Sequence, residues 1–358
     1  MFLAVEEMKQ NKLRYSLILG LLFLISYLVF FLSGLAYGLI QENKSAVDKW
    51  EAKLILLSSD ANQSLAASRF DSKMIENIEG DNLALLAQKS TVGWSKKNPS
   101  QDDKVKLSLF GIKANEFLVP TISEGREFNA PNEVVVDNSL AEDGDYQIGD
   151  NIKLADTDET LTIVGYTSGS RFSVSPVVYL DFNKFQQIVY GDTLPDGVSY
   201  TNAIVSKDNI DSYDSNILEK LNIPDFIENL PGYKAQNLTF AFMIGFLVII
   251  SSIVISIFIY VLTTQKIQIF GLMKIQGLSN FYISKSVLAQ TFLLSFVGTF
   301  LGFLGTWLSS LILPSSVPFE NNWLFYGAIA LAMVFFAIFG ALFSVRSVVK
   351  IDPLKMLG

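Results

Sequence analysis

Four long stretches of this chain contain no charged residue, and they constrain its fold more than any other feature of the sequence. They comprise residues 16–40, 238–262, 286–313 and 323–345. A helix needs roughly 20 apolar residues to cross the about 30 Å of hydrocarbon in a bilayer, and each stretch is long enough. Uncharged helices of this length are rare in soluble proteins. The sequence therefore predicts four transmembrane helices.

The first apolar stretch could also be a cleaved secretory signal, because Lys9, Lys12 and Arg14 precede it. The hydrophobic part of a signal peptide usually has about 7–15 residues, whereas residues 16–40 form an uninterrupted run of 25. The small residues Gly34 and Ala36 leave cleavage open as an alternative. The length favours an uncleaved membrane anchor.

The distribution of charge predicts the orientation in the membrane. The two termini and the connection 263–285 together carry nine basic and three acidic residues, whereas residues 41–236 and 314–322 carry 18 basic and 32 acidic residues. Basic segments remain in the cytoplasm. We therefore expect a multi-pass protein of the plasma membrane with both termini in the cytoplasm and residues 41–236 outside the cell.

Several residue types are absent, and their absence narrows the function. The chain has no Cys and no His, which removes disulfides, thiolate metal sites and the commonest general base. It has no phosphate-binding G-x-x-x-x-G-K-[ST] motif, no basic cluster that suits nucleic acid, and no ionisable residue in the four stretches. The sequence therefore predicts a non-enzymatic chain without an intrinsic cofactor or metal. Any energy for transport would come from another polypeptide.

The chain divides into nine segments, and the large one between the first two membrane helices is predicted to be a mixed α/β extracytoplasmic domain. Its short apolar runs, separated by turn residues, predict strands near 104–112, 133–137, 151–154, 160–166 and 177–180, and helical patches are expected near 71–79, 182–189 and 211–221. The segments are an interfacial helix (1–14), transmembrane helix 1 (15–40), the extracytoplasmic domain (41–236), transmembrane helix 2 (237–262), a cytoplasmic segment (263–285), transmembrane helix 3 (286–313), an outer loop (314–322), transmembrane helix 4 (323–346) and a cytoplasmic tail (347–358).

Glycines recur at helical spacing in the first and third membrane helices. Small residues four apart allow helices to approach closely in lipid, although glycine is also common in membrane helices without such a role. We expect close packing here, and the first helix could bring two protomers together. The residues are Gly34, Gly38, Gly298, Gly302 and Gly305.

The cytoplasmic segment 263–285 combines basic and apolar residues in a way that suits contact with a separate motor protein. Apolar side chains would fill a groove of the motor, and lysines would contact its rim. The alternative is a basic connector without a partner. The residues assigned to this contact are Lys266, Leu272, Lys274, Ile275, Gly277 and Leu278.

Three parts of the sequence resemble one family, the MacB/FtsX-type ABC-transporter permeases. QKIQIFGLMKIQGLSNFYISKSVLAQ resembles the cytoplasmic coupling segment of that family, from which it departs at Ile275 and Gln276. NEVVVDNSLAEDGDYQIGDNIKLADTDETLTIVGYT is similar to its extracytoplasmic core domain, and VVKIDPLKMLG to its C-terminal tail. The resemblance covers essentially the whole chain. It implies a permease homodimer that works by mechanotransmission with two copies of a cytoplasmic ABC ATPase, which binds ATP and Mg²⁺.

Within that family, MFLAVEEMKQNKLRYSLI and FLSGLAYGLIQENKSAV look most like the haem-exporting permeases of Gram-positive bacteria and the related DevC group. The resemblance implies haem as the transported ligand, taken from the membrane lipid of the outer leaflet with the help of carboxylates near the surface. Glu42 is the matching position, and Tyr37, Phe30 and Phe31 could supply aromatic surface. Without His or Cys, any axial ligand would be Tyr, Met or a carboxylate.

Other functions fit the same sequence. The permease could export an antimicrobial peptide, a macrolide or a lipid. It could instead be an FtsX-like regulator of an extracellular cell-wall hydrolase, which would need an exposed apolar docking patch on the outer domain. An anchored binding domain without a motor is a further alternative.

Overall fold

The computed structural model describes residues 12–95, 99–101, 103–144, 146–155, 157–195, 197–314 and 317–349. The chain forms two compact units. In the described part, the membrane unit contains residues 12–38, 238–314 and 319–349, and the outer unit contains residues 39–237 together with residues 317 and 318. The predicted interfacial helix and the predicted tail lie largely outside the described residues.

Four of the helices are long and apolar enough to cross a membrane. The helices of the described residues are α1 (Lys12–Asp48), α2 (Ser139–Gly144), α3 (Phe182–Tyr190), α4 (Ile223–Glu228), α5 (Tyr233–Gln265), α6 (Ile267–Ile275), α7 (Asn280–Ser310) and α8 (Trp323–Val349). The four long helices α1, α5, α7 and α8 overlap the four uncharged stretches, and α6 lies in the segment predicted to be cytoplasmic. The predicted fold class, four transmembrane helices with a mixed α/β domain after the first, is confirmed.

Helix α1 continues well beyond the end of its uncharged stretch. It has 37 residues and is therefore about 55 Å long, which exceeds the about 30 Å of a hydrocarbon core. Its last turns are stabilised locally, because the Lys44 ammonium lies 2.6 Å from the Asp48 carboxylate one turn away. The Asn43 amide donates to the Leu39 carbonyl over 2.9 Å. One unbroken helix thus includes residues of both units.

The outer unit is organised around an eleven-stranded mixed sheet. The strands of the described residues are β1 (Leu54–Ser58), β2 (Phe70–Asp71), β3 (Glu79–Gly80), β4 (Leu83–Trp94), β5 (Val105–Ile112), β6 (Glu124–Gly125), β7 (Glu133–Asp137), β8 (Asn151–Leu154), β9 (Thr160–Thr167), β10 (Arg171–Phe172), β11 (Ser175–Asp181), β12 (Tyr200–Thr201), β13 (Ala203–Ser206), β14 (Ile210–Ser212) and β15 (Leu218–Asn222). In the large sheet the order is β10-β11-β7-β9-β8-β4-β13-β1-β15, β5 pairs with both β4 and β11, and β6 pairs with β9.

Strand β1 illustrates how the large sheet is buried on both faces. Side chains alternate between the two faces of a strand. Ile55 and Leu57 belong to the core that contains Trp50, whereas Leu54 and Leu56 belong to the core on the opposite face. All four side chains are buried. The outer unit therefore has its own hydrophobic interior on each side of the sheet.

The five predicted strands are present, but one predicted helix is wrong. Residues 211–221 contribute to β14 and β15 instead, and β15 pairs antiparallel with β1 from Leu218 to Asn222. The three-residue spacing of Leu218 and Leu221 suits a helix, but both side chains are buried on the strand. Pairing with β1 satisfies the backbone groups of both strands, and this decides the structure. The helix predicted near 182–189 is present as α3, and the one near 71–79 is a 3₁₀ helix, Ser72–Asn77.

Candidate coupling segment and substrate site

In the segment predicted to be cytoplasmic, the helical conformation is interrupted at Lys266, which separates α5 from α6. Lys266 has φ −103° and ψ 7°, outside the helical values of the residues around it. At the other end, Gly277 has φ +86°, a conformation that glycine adopts without a steric penalty. The Leu278 amide donates to the Met273 carbonyl and the Gly277 amide to the Lys274 carbonyl, each over 3.0 Å. This is a Schellman motif, and it ends α6 at a defined residue.

Helix α6 leaves apolar side chains exposed on the membrane unit. Leu272 is 57% exposed and Ile275 is 45% exposed, whereas Phe270 on the same helix is buried. Leu278 and Lys274 are partly exposed. Exposed apolar residues rimmed by polar ones are typical of a protein contact site. The arrangement is thus compatible with the predicted contact through Leu272 and Ile275.

Lys266 does not have the predicted position at the rim of this surface. Its side chain is 6% exposed, and the Nζ atom donates to the Tyr15 hydroxyl over 2.8 Å and to the Gln290 Oε1 atom over 3.2 Å. In this structure Lys266 therefore does not lie at the rim of the exposed α6 surface, where the sequence placed it. The physical reason is that its long aliphatic stem packs among apolar residues, while polar side chains of α1 and α7 satisfy the ammonium group.

The glycines of α7 lie where that helix meets α1. A Cβ atom added at Gly298 would lie 2.5 Å from the Leu22 Cβ atom, and one added at Gly302 would lie 2.5 Å from the Ser26 Cβ atom. At Gly305 the nearest atom would be the Phe23 ring at 3.0 Å. The absence of side chains at these positions lets the two helices approach closely.

Gly34 of α1 has close neighbours from the same chain. Gly34 and Gly38 are both buried. A Cβ atom at Gly34 would overlap the Phe319 ring and the Tyr326 hydroxyl of the same chain. The expectation that this face brings two protomers together is therefore wrong for Gly34, because residues near the start of α8 already occupy it.

Glu42 lies in the outer unit within a partly buried group of charges. The Arg171 Nη1 atom donates to Glu42 Oε1 over 2.8 Å, and the two side chains are 14% and 15% exposed, respectively. The Arg171 Nε atom lies 3.9 Å from the buried Asp137 carboxylate. Lys49 is nearby in the fold and donates to the Ser168 carbonyl. The pKa of Lys49 is lowered, because burial lowers it by more than the nearby Asp137 charge raises it.

The backbone around Glu42 is held by a turn of the β10–β11 hairpin. Ser173 and Val174 have φ values of +49° and +68°, and their amides donate to the Asn43 and Glu42 carbonyls over 3.0 and 3.1 Å. Positive φ is rare for a β-branched residue, so the sequence did not indicate this turn. Sequence reasoning therefore missed Arg171, which this turn brings to Glu42.

The aromatic residues predicted to line a haem site have different surroundings. Phe30 is completely buried, and its ring packs edge-on against Phe303 and Tyr326 at 5.5–6.0 Å between centroids. Phe30 therefore offers no ring face to a ligand in this structure. Phe31 is partly exposed, with its ring 5.4 Å from that of Phe319, and Tyr37 is also partly exposed.

A cavity of about 470 Å³ lies between α7 and α8, and the sequence did not indicate it. Three rings that stack along α7 form one wall, with centroid separations of 5.8 and 6.5 Å. They belong to Phe292, Phe296 and Phe300.

A family model described as the MacB-like periplasmic core domain matches residues 17–213, more than half of the chain. The chain belongs to the MacB/FtsX-type ABC-transporter permeases. A second model, the FtsX-like permease C-terminal domain, matches residues 241–353 of this permease. Membership implies an ATPase partner, and the permease is a multi-pass protein of the plasma membrane with an extracellular segment.

Relatives and solved structures extend the comparison. The permease is 26% identical to a Staphylococcus epidermidis protein and 27% identical to a Staphylococcus haemolyticus protein, in both cases over 100% of the permease and 99% of the relative. Each bears the name "Putative hemin transport system permease protein HrtB". The periplasmic region of MacB from Actinobacillus actinomycetemcomitans aligns with 53% of the permease and 98% of that chain, at 12% identity and a TM-score of 0.36.

Proposed function

We propose that this permease is the membrane subunit of an ATP-driven exporter of haem that works by mechanotransmission. The observation that carries the proposal is the match over the full length of the permease to two proteins named for hemin transport. The permease itself would hydrolyse no ATP. Two copies of a cytoplasmic ATPase would bind a permease homodimer, with the termini of the permease in the cytoplasm as its charge distribution suggests.

The exposed surface of α6 supports the first step of this mechanism. Leu272 and Ile275 are available to a groove of the ATPase, and the Schellman motif at Gly277 holds the end of the helix in place. Closure of two ATPases around ATP would push α6 of each protomer. Helix α1 would carry that movement onwards, because it is unbroken from Lys12 to Asp48.

The charges around Glu42 support haem as the substrate. Ferric haem carries positive charge at its iron and negative charge on its propionates. The Glu42–Arg171 pair offers one group of each sign, and neither side chain is fully buried. A carboxylate is also among the few ligands that a chain without His and Cys can provide to the iron. In this proposal Glu42 faces the iron and Arg171 binds a propionate.

The outer surface favours an exporter over a regulator of an extracellular hydrolase. Within the described part of the outer unit, the exposed large hydrophobic residues are Ile148, Val174 and Ile217, each between 41% and 44% exposed. They come from separate loops and turns of the sequence, and Val174 belongs to the turn beside Glu42. A docking site for another protein normally needs a larger contiguous apolar area.

The test is a haem titration of the purified permease in nanodiscs, followed by absorbance. The Glu42→Gln variant keeps an oxygen that can accept from Arg171 but loses the charge, so we expect weaker haem binding and an altered spectrum. Asp48→Asn is the matched control, because Asp48 is an acid of the same helix that pairs with Lys44. Absence of saturable binding by the wild type would refute haem as the substrate, and equal affinity of Glu42→Gln would refute the role of Glu42.

A further inference from the structure

The side chain of Lys266 joins three helices of the membrane unit at the point where the cytoplasmic segment begins. Its Nζ atom bonds to Tyr15 of α1 and to Gln290 of α7. The Gln290 amide also donates to the Tyr15 hydroxyl. The three residues, which we call the Lys266 node, are 3–7% exposed. A buried ammonium group within reach of two polar partners is a costly arrangement unless its bonds are kept.

The position of the node in the backbone suggests what it does. Lys266 is the residue at which α5 ends and α6 begins, with a non-helical ψ of 7°. Its carbonyl accepts from the Phe270 amide, so the first turn of α6 starts on Lys266 itself. Any displacement of α6 therefore moves the Lys266 backbone, and the side chain applies that displacement to Tyr15.

Tyr15 is well placed to pass such a displacement on. It lies in the first turn of α1, and Glu42 lies near the other end of the same unbroken helix. The Lys266 ammonium also lies 5.5 Å from the centre of the Tyr15 ring, at a distance where a cation is attracted to an aromatic face. A hydrogen bond and a cation–π contact therefore both join Lys266 to Tyr15.

Apolar residues of α6 and α1 are also packed together, and such contacts are less directional than hydrogen bonds. Phe270, Ile18 and Leu22 share one hydrophobic cluster with Tyr15. Apolar contacts can slide by small distances at little cost, whereas hydrogen bonds weaken steeply with distance and angle. A polar link is therefore the better means of making α1 follow α6.

We propose that Lys266 is a positioning residue that transmits the movement of α6 to α1 through its bonds to Tyr15 and Gln290. This inference rests on the mechanotransmission in the proposed function and names the contact that carries it. Lys266→Met would keep the length and apolar packing of the side chain but remove the link. The Gln290–Tyr15 bond would remain, so the helices would stay packed while α1 no longer follows α6.

The experiment measures movement directly. A single cysteine in place of the exposed Glu127 in the outer unit would be spin-labelled, which is selective because the chain has no native cysteine. The distance between labels in the two protomers would be measured for the full permease–ATPase complex in nanodiscs, without nucleotide and with ATP and vanadate. We expect a distance change in the wild type and its loss in Lys266→Met.

Two further variants make the result specific. Tyr15→Phe removes only the hydroxyl group and should also abolish the distance change, which keeps the test valid if Lys266→Met folds poorly. Lys285→Met is the matched control, because Lys285 is an exposed lysine of α7. The Lys285→Met variant loses one positive charge, as Lys266→Met does, and it should respond to ATP like the wild type. The ATPase should copurify with all three variants.

Each other outcome has a distinct meaning. If Lys266→Met and Tyr15→Phe respond like the wild type, the Lys266 node does not transmit the movement of α6 to α1. The proposed mechanotransmission is not contradicted by that result. If Lys266→Met loses the ATPase, Lys266 acts in assembly and the inference is wrong. If the wild type itself shows no response to ATP, mechanotransmission fails and the inference fails with it.

Discussion

Gly302 provides a quantitative test of the packing between α1 and α7. Even the single methyl group of Gly302→Ala would lie 2.5 Å from the Ser26 Cβ atom and 2.7 Å from the Tyr27 amide nitrogen. Both contacts are closer than carbon and nitrogen atoms normally approach, and neither neighbouring atom is the end of a flexible side chain. The two helices would have to separate by several tenths of an ångström along their contact.

Overpacking of this kind typically costs about 1–3 kcal/mol. In a protein of this size each kcal/mol lowers the melting temperature by roughly 2–4 °C. We therefore expect Gly302→Ala to melt roughly 2–12 °C below the wild type, and Gly302→Leu to be affected more strongly. The assay is a thermal melt of the detergent-solubilised permease, followed by the fraction that remains monodisperse.

The control is Gly20→Ala on α1, where an added Cβ atom would have no atom within 4 Å. That variant should melt at or above the wild-type temperature, because alanine favours a helix more than glycine does. If Gly302→Ala melts within about 1 °C of Gly20→Ala, the close contact at Gly302 does not exist in the protein and the reasoning fails.

Two further predictions concern the coupling surface and the outer unit. Replacing both Leu272 and Ile275 with Asp should abolish copurification of the ATPase. The control Ile312→Asp, just beyond the far end of α7, where Ile312 is 84% exposed, should leave copurification intact. Retention of the ATPase by the double variant would exclude this surface. In the outer unit, paired hydrogen bonds from Arg126 lower the pKa of Glu133 to about 2. The stabilisation from Glu133 should be complete above the unfolded pKa of about 4.3 and disappear as the pH falls towards 2. Urea unfolding should therefore show Glu133→Gln less stable than the wild type at pH 7 and the difference much smaller at pH 2; a constant difference would contradict this.

The four membrane helices could be predicted because hydrocarbon imposes a length and excludes charge. Each uncharged stretch meets that condition by itself, without reference to the rest of the chain. The strands β7, β8 and β9 were predictable for a similar reason, since short apolar runs bounded by turn residues are typical of strands. Gly277 was assigned to the cytoplasmic segment, and the structure shows that it ends α6 with a positive φ that few residues other than glycine tolerate.

The end of α1 at Asp48 shows where this reasoning stops. Polar residues after Ile40 suggested that the helix ends at the membrane surface. The structure continues it to Asp48, where Val47 is buried in the core of the outer unit beside Trp50. Whether a polar stretch remains helical depends on what it packs against, and that is not encoded in its own periodicity.

The candidate site residues depended even more on tertiary structure. Lys266 was assigned to the surface because it belongs to a basic, amphipathic segment, yet its partners Tyr15 and Gln290 are 251 and 24 residues away in the sequence. Likewise, Glu42 was found from its position after the first membrane helix, whereas Arg171 lies 129 residues further on. The sequence by itself determined which segments enter the membrane and which form strands, because those properties follow from the polarity of neighbouring residues. Only the tertiary structure decided which charges are buried and how they are satisfied, because the cost of burying a charge is offset by groups that distant parts of the chain bring to it.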